Sequence, residues 1–201
     1  MSRNPMLAIG VAAALALGMT AAQAQNSNSS TMSRPAPGSS MNGNSGMNQK
    51  ASKADQKFLM EGMQGDMAEV QMGKLAQQKG QSEDVKQFGQ MLEQDHGQHL
   101  QMAKQEAQQL GVTPPNGPNA KQKAAYEKMS KLSGAQFDKQ FAQHAVADHK
   151  KDIAEYQKHA KSKGPLAQYA EETLPTLEKH LKTAQSIESK GAMTGAKAGR
   201  K

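Results

Sequence analysis

The sequence predicts an all-α protein: an antiparallel four-helix bundle with a short extra helix between the second and third long helices. Three observations carry this. Aromatic residues make up 3% of the chain and tryptophan is absent, so the core is built from Leu, Met, Ala and Val, a set that suits helices better than sheets. Apolar residues recur at the helical period over four stretches of roughly 25 to 29 residues, each about 40 Å long at 1.5 Å per residue. Breaker clusters at Gly80, at 111–118, at Ser133-Gly134 and at Gly164-Pro165 separate these stretches.

Residues 1–24 read as a signal peptide: Arg3 is a short basic region, an apolar run extends from Met6 to about Met19, and Ala22-Gln23-Ala24 is a small-x-small cleavage site. The run is shorter than the ~20 residues that span a bilayer. The expected product is an exported protein cut after Ala24, located in the periplasm or cell envelope, with no transmembrane segment. It has no cysteine, so neither a disulfide nor a thiol ligand is available, and any metal has to be held by His, Asp, Glu or Met.

Residues 25–50, rich in Ser, Asn, Gly and Pro, have no apolar period and read as a disordered linker. Its Met32, Met41 and Met47 are soft donors of the kind that hold Cu(I), or incidental to a low-complexity tether. The helical domain is expected over 51–188, followed by a basic disordered tail at 189–201.

The first long helix is expected from Ser52, as N-cap, to Lys79, with Leu59, Met63, Met67 and Val70 as its stripe and Asp66, Glu69 and Gly73 on the flank. Gly62 and Gly73 each weaken a helix by up to about 1 kcal/mol, which points to close approach of a neighbour. The second helix covers 82–110 and puts Val85, Phe88, Leu92, His96, His99, Ala103, Ala107 and Leu110 on one side. The short helix is expected over Ala120–Leu132. The third long helix, 135–163, centres its stripe on His149, between Val146 and Ile153. The fourth, 165–188, carries Leu166, Tyr169, Thr173, Leu177, His180, Ala184 and Ile187, with Pro175 inside it opening the ladder near Glu171.

Counted from the two tight connections, Asp66, His96, His149 and His180 all fall near mid-height, with Glu69 close by. Ionisable groups in a core cost several kcal/mol unless paired or ligating. The residues leave two readings open, a transition-metal site (iron, zinc, copper or manganese) on Glu69, His96, His149 and His180, or a structural His/carboxylate network. Asp66, Glu93, Asp95 and Asp148 are the expected outer partners. Glu93-Gln-Asp-His96 has the Glu-x-x-His spacing of carboxylate-bridged di-metal bundles, but the later helices offer Val146-Ala-Asp-His149 and Leu177-Glu-Lys-His180, so the di-metal pattern is incomplete and a mononuclear site or no metal matches at least as well. Asp95-His96 and Asp148-His149 repeat one dipeptide. Neighbours on a helix point about 100° apart, so each Asp is expected to reach a ring on an adjoining helix. His99, His144 and His159 are taken as surface or outer residues.

The stretches FLMEGMQGDMAEVQMGKLAQQKG, VKQFGQMLEQDHGQH, LSGAQFDKQFAQHAVADHKKDIAEYQKHA and AEETLPTLEKHL resemble the domain of unknown function 4142 family over about 55–188. That resemblance implies the ferritin-like superfamily and an exported protein, often labelled an outer-membrane protein. It supplies no activity. Glu69, His96, His149 and His180 stand at the family's characteristic polar positions, and Gly164-Pro165 stands where Asp-Pro is usual.

Formal charge falls from +7 to +6 once Arg3 is removed. Lysines are scattered, only three arginines occur, and no basic stripe carries stacking aromatics, which argues against nucleic acid. The basic excess suits peripheral contact with an anionic envelope surface. No alternating ~10-residue strands support a barrel. The leading function is an uncharacterised envelope protein, more non-catalytic than enzymatic, that holds a transition metal in stress tolerance or metal handling. The alternatives are a metal-dependent oxidase or peroxidase and a structural or interaction module. Partner and oligomeric state are not written in the sequence.

Overall fold

The structure, a computed structural model, describes residues 51–198. The leader at 1–24, the linker at 25–50 with its three methionines, and 199–201 of the expected tail lie outside the described residues. The described residues form five helices and no strand: α1 Lys53–Lys79, α2 Glu83–Gln109, α3 Ala120–Ser130, α4 Gly134–Ala160 and α5 Ala167–Ala198.

Local chemistry sets most boundaries. Ser52 caps α1 in a reciprocal box with Asp55, and Asn119 does the same for α3 with Gln122. The Ser82 hydroxyl accepts from Val85 N–H at the start of α2. The last long helix does not stop near Glu188 as expected but runs to Ala198. Ala, Lys and Met in that stretch favour the helix, and no proline opposes them, so two glycines do not end it. Pro175 likewise leaves α5 continuous. It is exposed, while Thr173, on the buried face, donates its hydroxyl proton to Tyr169 O at 2.8 Å.

The α1–α2 and α4–α5 hairpins pack together with α2 on α5 and α1 on α4. Gln81 N–H and Ser82 N–H, in the α1–α2 turn, each donate to the Asp138 carboxylate at 2.8 Å, so α4 starts at that same end. Lys190 of α5 reaches Asp84 there too, at 2.7 Å. The connection from Leu110 to Ser133 therefore crosses the bundle end to end, carrying α3 along α1 and α4. One long crossover is the connectivity of ferritin-like bundles.

Between α1 and α2 the backbones approach closely: a Cβ built on Gly73 would sit 2.5 Å from Gly89 O, and one on Gly89 would sit 2.6 Å from Gly73 O. Gly62 leaves room for the Tyr156 hydroxyl, which would lie 3.1 Å from an added Cβ. The glycine reading of α1 holds at both positions.

Two apolar clusters fill the core. One is built on Leu75, Phe88, Phe137, Phe141 and Ile187, toward the α1–α2 turn, and the other on Phe58, Met63, Tyr156, Leu166 and Tyr169 toward the opposite end. The polar residues of α1, α2, α4 and α5 lie between them in chain order on every long helix. On α1 the buried face passes through Asp66 and Glu69, whereas Met67 and Val70, expected in the stripe, are only partly buried.

Two alanine substitutions separate close packing from helix propensity. Gly89→Ala is expected to destabilise the bundle by about 1–3 kcal/mol, because the added methyl meets backbone that cannot yield. Gly97→Ala, in the same helix with nothing within 4 Å of the added Cβ, is expected to stabilise by up to about 1 kcal/mol. Urea unfolding of the two variants against wild type measures both.

Candidate metal centre

Four helices bring their mid-height polar groups into one layer. His96, His149 and His180 are buried, and each can offer a ring nitrogen within 4.8 Å of the others. Their ring centroids are 5.2–5.6 Å apart.

Each ring is held from the outside by one acceptor. His96 Nδ1 lies 2.9 Å from Asp66 Oδ1, His149 Nδ1 lies 2.9 Å from the carbonyl of Ala145, and His180 Nε2 lies 2.8 Å from Asp95 Oδ2. A carbonyl oxygen only accepts, so His149 carries its proton on Nδ1 and presents a lone pair at Nε2. Burial works against ionisation of Asp95, but the hydrogen bond from His180, with the charge of Lys179, outweighs it and holds its pKa below the ordinary value. Ionised Asp95 takes the proton of His180 Nε2, which leaves His180 Nδ1 bare as well. These two lone pairs then face each other 3.2 Å apart.

The run Ala145–His149–His180–Asp95 thus has three contacts and, with neutral rings, only two protons. Burial keeps the rings neutral: it pulls His149 down to about 3 and His180 down to about 4. The third inward nitrogen, His96 Nε2, is buried without a hydrogen-bond partner. Burial also pushes Asp66 up to about 7 and His96 down to about 4. Their short contact is therefore not a fixed ion pair, and a cation on Nε2 would favour the ionised form of Asp66 with the proton on Nδ1.

The donor set fits a metal ion. Two facing imidazole lone pairs and a third unpartnered ring nitrogen, each ring with its other nitrogen held by a carboxylate or carbonyl, make the arrangement that orients metal-bound histidines. Two nitrogens about 2.0–2.1 Å from a tetrahedral ion stand about 3.3 Å apart, close to the spacing held here by the protein alone.

The other expected residues are distributed differently. Glu69 does not join the three rings; it groups with His144 and Asp148. Its Oε2 is buried without a partner. Burial first, then the charges of Asp148, Asp152 and Asp66, push its pKa well above the ordinary value. Asp95 reaches across to the α5 ring as expected, but Asp148 pairs with His144 on its own helix, at 3.3 Å. Glu93 turns away from the layer, accepting from Gln77 Nε2 at 2.7 Å and lying 3.6 Å from Lys74 Nζ, so the Glu-x-x-His spacing does not bring a carboxylate to the rings. His99, taken as an outer residue, is buried with Nδ1 unpartnered and forms a further group with Asp66 and His96. Its place in the apolar stripe was the signal for that. His159 stacks on Phe58 with centroids 3.8 Å apart, away from these groups.

A cavity of about 510 Å³ opens beside the layer, with Asp66, Glu69, His96, His144, Asp148 and Asp152 on its wall. Asn119, Lys121, Gln122 and Ala125 of the α3 segment line its other side.

Residues 40–187 match the family described as Domain of unknown function (DUF4142). The chain belongs to the DUF4142 family. Its structure is similar to that titled "Crystal structure of DUF305 fragment from Deinococcus radiodurans", with a TM-score of 0.62 and 12% identity over 70% of this chain and 98% of that one. At that identity the likeness shows the helical fold alone. No curated protein matches the sequence.

The raised Glu69 pKa gives this DUF4142 chain a pH signature. The folded value lies above the unfolded one of 4.5, so as pH rises past that point the unfolded state releases its proton first and wild type loses stability. Glu69→Gln removes this effect. The variant is expected to match wild type near about pH 4 and to become the more stable one as pH rises, by up to about 1.4 kcal/mol per pH unit. Urea unfolding with a chelator present, repeated from acid to neutral pH, measures the difference.

Proposed function

We propose that this is an exported, ferritin-like helical-bundle protein that holds one transition-metal ion on His96, His149 and His180 and serves in metal handling or stress tolerance in the cell envelope. The observation that carries the metal reading is the pair of imidazole lone pairs held 3.2 Å apart on fully buried rings, with His96 Nε2 as a third unpartnered nitrogen beside them. Export rests on the leader at 1–24. None of the helices among the described residues is long and apolar enough to cross a membrane.

Three imidazoles suit zinc, copper or iron(II) better than hard cations. Such an ion would supply Lewis acidity, or one-electron chemistry if redox-active. The protein's own part is to hold the rings: the Ala145 carbonyl and Asp95 each fix one tautomer, Asp66 anchors His96 Nδ1, and apolar clusters pack on either side of the layer. A second reading, a metal-dependent oxidase or peroxidase, is favoured by the cavity, which reaches His96 and so gives a small oxidant access to one ligand.

Metal content by mass spectrometry, on untagged protein purified from the periplasm, tests the proposal. Wild type is expected to carry close to one equivalent of zinc, copper or iron, and His96→Ala/His149→Ala is expected to carry none. Asp95→Asn should keep the metal but bind it about 10–100-fold more weakly, as loss of an outer partner does. A wild type that is free of metal and takes none up would refute the site and leave the rings as core architecture. Turnover of oxygen or peroxide by the loaded protein would decide for the oxidase or peroxidase.

A further inference from the structure

The group formed by Glu69, His144 and Asp148 stands apart from the three buried rings, on the wall of the cavity between α1, α3 and α4. Each of the three can offer a ligand atom within 4.8 Å of the others. His144 and Asp148 are one helical turn apart on α4 and project from one face, with His144 Nε2 3.3 Å from Asp148 Oδ2. Glu69 approaches from α1. It is only 5% exposed, its Oε2 has no hydrogen-bond partner, and it lines the cavity. A buried carboxyl oxygen without a donor is costly, and here the surroundings add to the cost, since Asp66, Asp148 and Asp152 face the same cavity. Lysines do line that cavity, but the ion pairs they make are Lys57 with Glu61 and Lys151 with Asp152, at 3.8 and 3.6 Å, not with Glu69.

We propose that Glu69, His144 and Asp148 form a second divalent-cation site, richer in oxygen than the imidazole centre and open to solvent through the cavity. Two carboxylates and one imidazole suit manganese(II) or iron(II) better than copper. A cation there satisfies the stranded Glu69 oxygen and offsets the negative charge gathered on the cavity wall. The site stands whether or not the imidazole centre is loaded.

The test uses the full chain, first given one equivalent of zinc(II) and then titrated with manganese(II), with free manganese(II) read from its electron paramagnetic resonance signal. Wild type is expected to withdraw one equivalent of manganese. Glu69→Gln and Asp148→Asn should each weaken that uptake at least about tenfold, the lower bound seen when even an outer partner is lost. Asp148 has a side chain 42% exposed, so its variant tests the site even if Glu69→Gln does not fold, which circular dichroism checks. His149→Ala should lose zinc while keeping manganese affinity within about twofold. Manganese uptake unchanged in both carboxylate variants, or abolished only by His149→Ala, overturns the second site and leaves the imidazole centre standing. Absence of manganese uptake by wild type overturns it as well. Zinc that fails to bind while manganese binding still depends on Glu69 and Asp148 refutes the imidazole centre alone.

Discussion

The structure depends on a layer of ionisable groups closed between two apolar clusters. A buried polar atom in such a place has to find a partner or be left at a cost of a few kcal/mol, and each long helix contributes at least one group to the answer. Asp66 of α1 meets His96 of α2, and Asp95 of α2 meets His180 of α5, which in turn meets His149 of α4. These contacts tie α1 to α2, α2 to α5 and α5 to α4, so a slip of one helix along its neighbour would break them. Apolar packing alone tolerates such slips better, because it is not directional.

The backbone supplies the register that the layer needs. Gly73 and Gly89 let α1 and α2 approach until each glycine faces the other's carbonyl, which fixes their relative height one to two turns from Asp66 and His96. The Asp138 carboxylate, accepting from the turn between those helices, sets the starting height of α4. The long crossover then brings α4 and α5 in with the direction that puts His149 and His180 at the level of His96.

The outer partners leave His149 Nε2 and His180 Nδ1 with lone pairs that face each other, and His96 Nε2 stands beside them without a partner. Mutual hydrogen bonding cannot resolve this, because the acceptors at the two ends of the Ala145–His149–His180–Asp95 run claim both ring protons. This is why the arrangement reads as a ligand set rather than as a self-satisfied polar core. The similarity to the DUF305 fragment concerns the helical fold alone.

How much of this was legible in the sequence follows from what each part depends on. Helix positions, caps and the buried face of α5 depend on local propensity and on a period of 3.6, and there the expected stripe from Leu166 to Ile187 is the observed one. The mid-height alignment of His96, His149 and His180 was also readable, since helices rise by a constant amount per residue. Rotation and partner choice were not. On α1, polarity hid the true inward face, because Asp66 and Glu69 are buried through contacts and surroundings that lie on other helices while Met67 is only partly buried. Glu93 was drawn to the site by spacing, yet it points toward Gln77 and Lys74. Periodicity determined by itself that four helices would bring polar groups to one level, three of them histidines; only the tertiary structure decided that Asp66 and Asp95 hold the rings of His96 and His180, and that Glu69 stands apart with His144 and Asp148, because these pairings join different helices, with Asp66 and His96 30 positions apart and Asp95 and His180 85 apart.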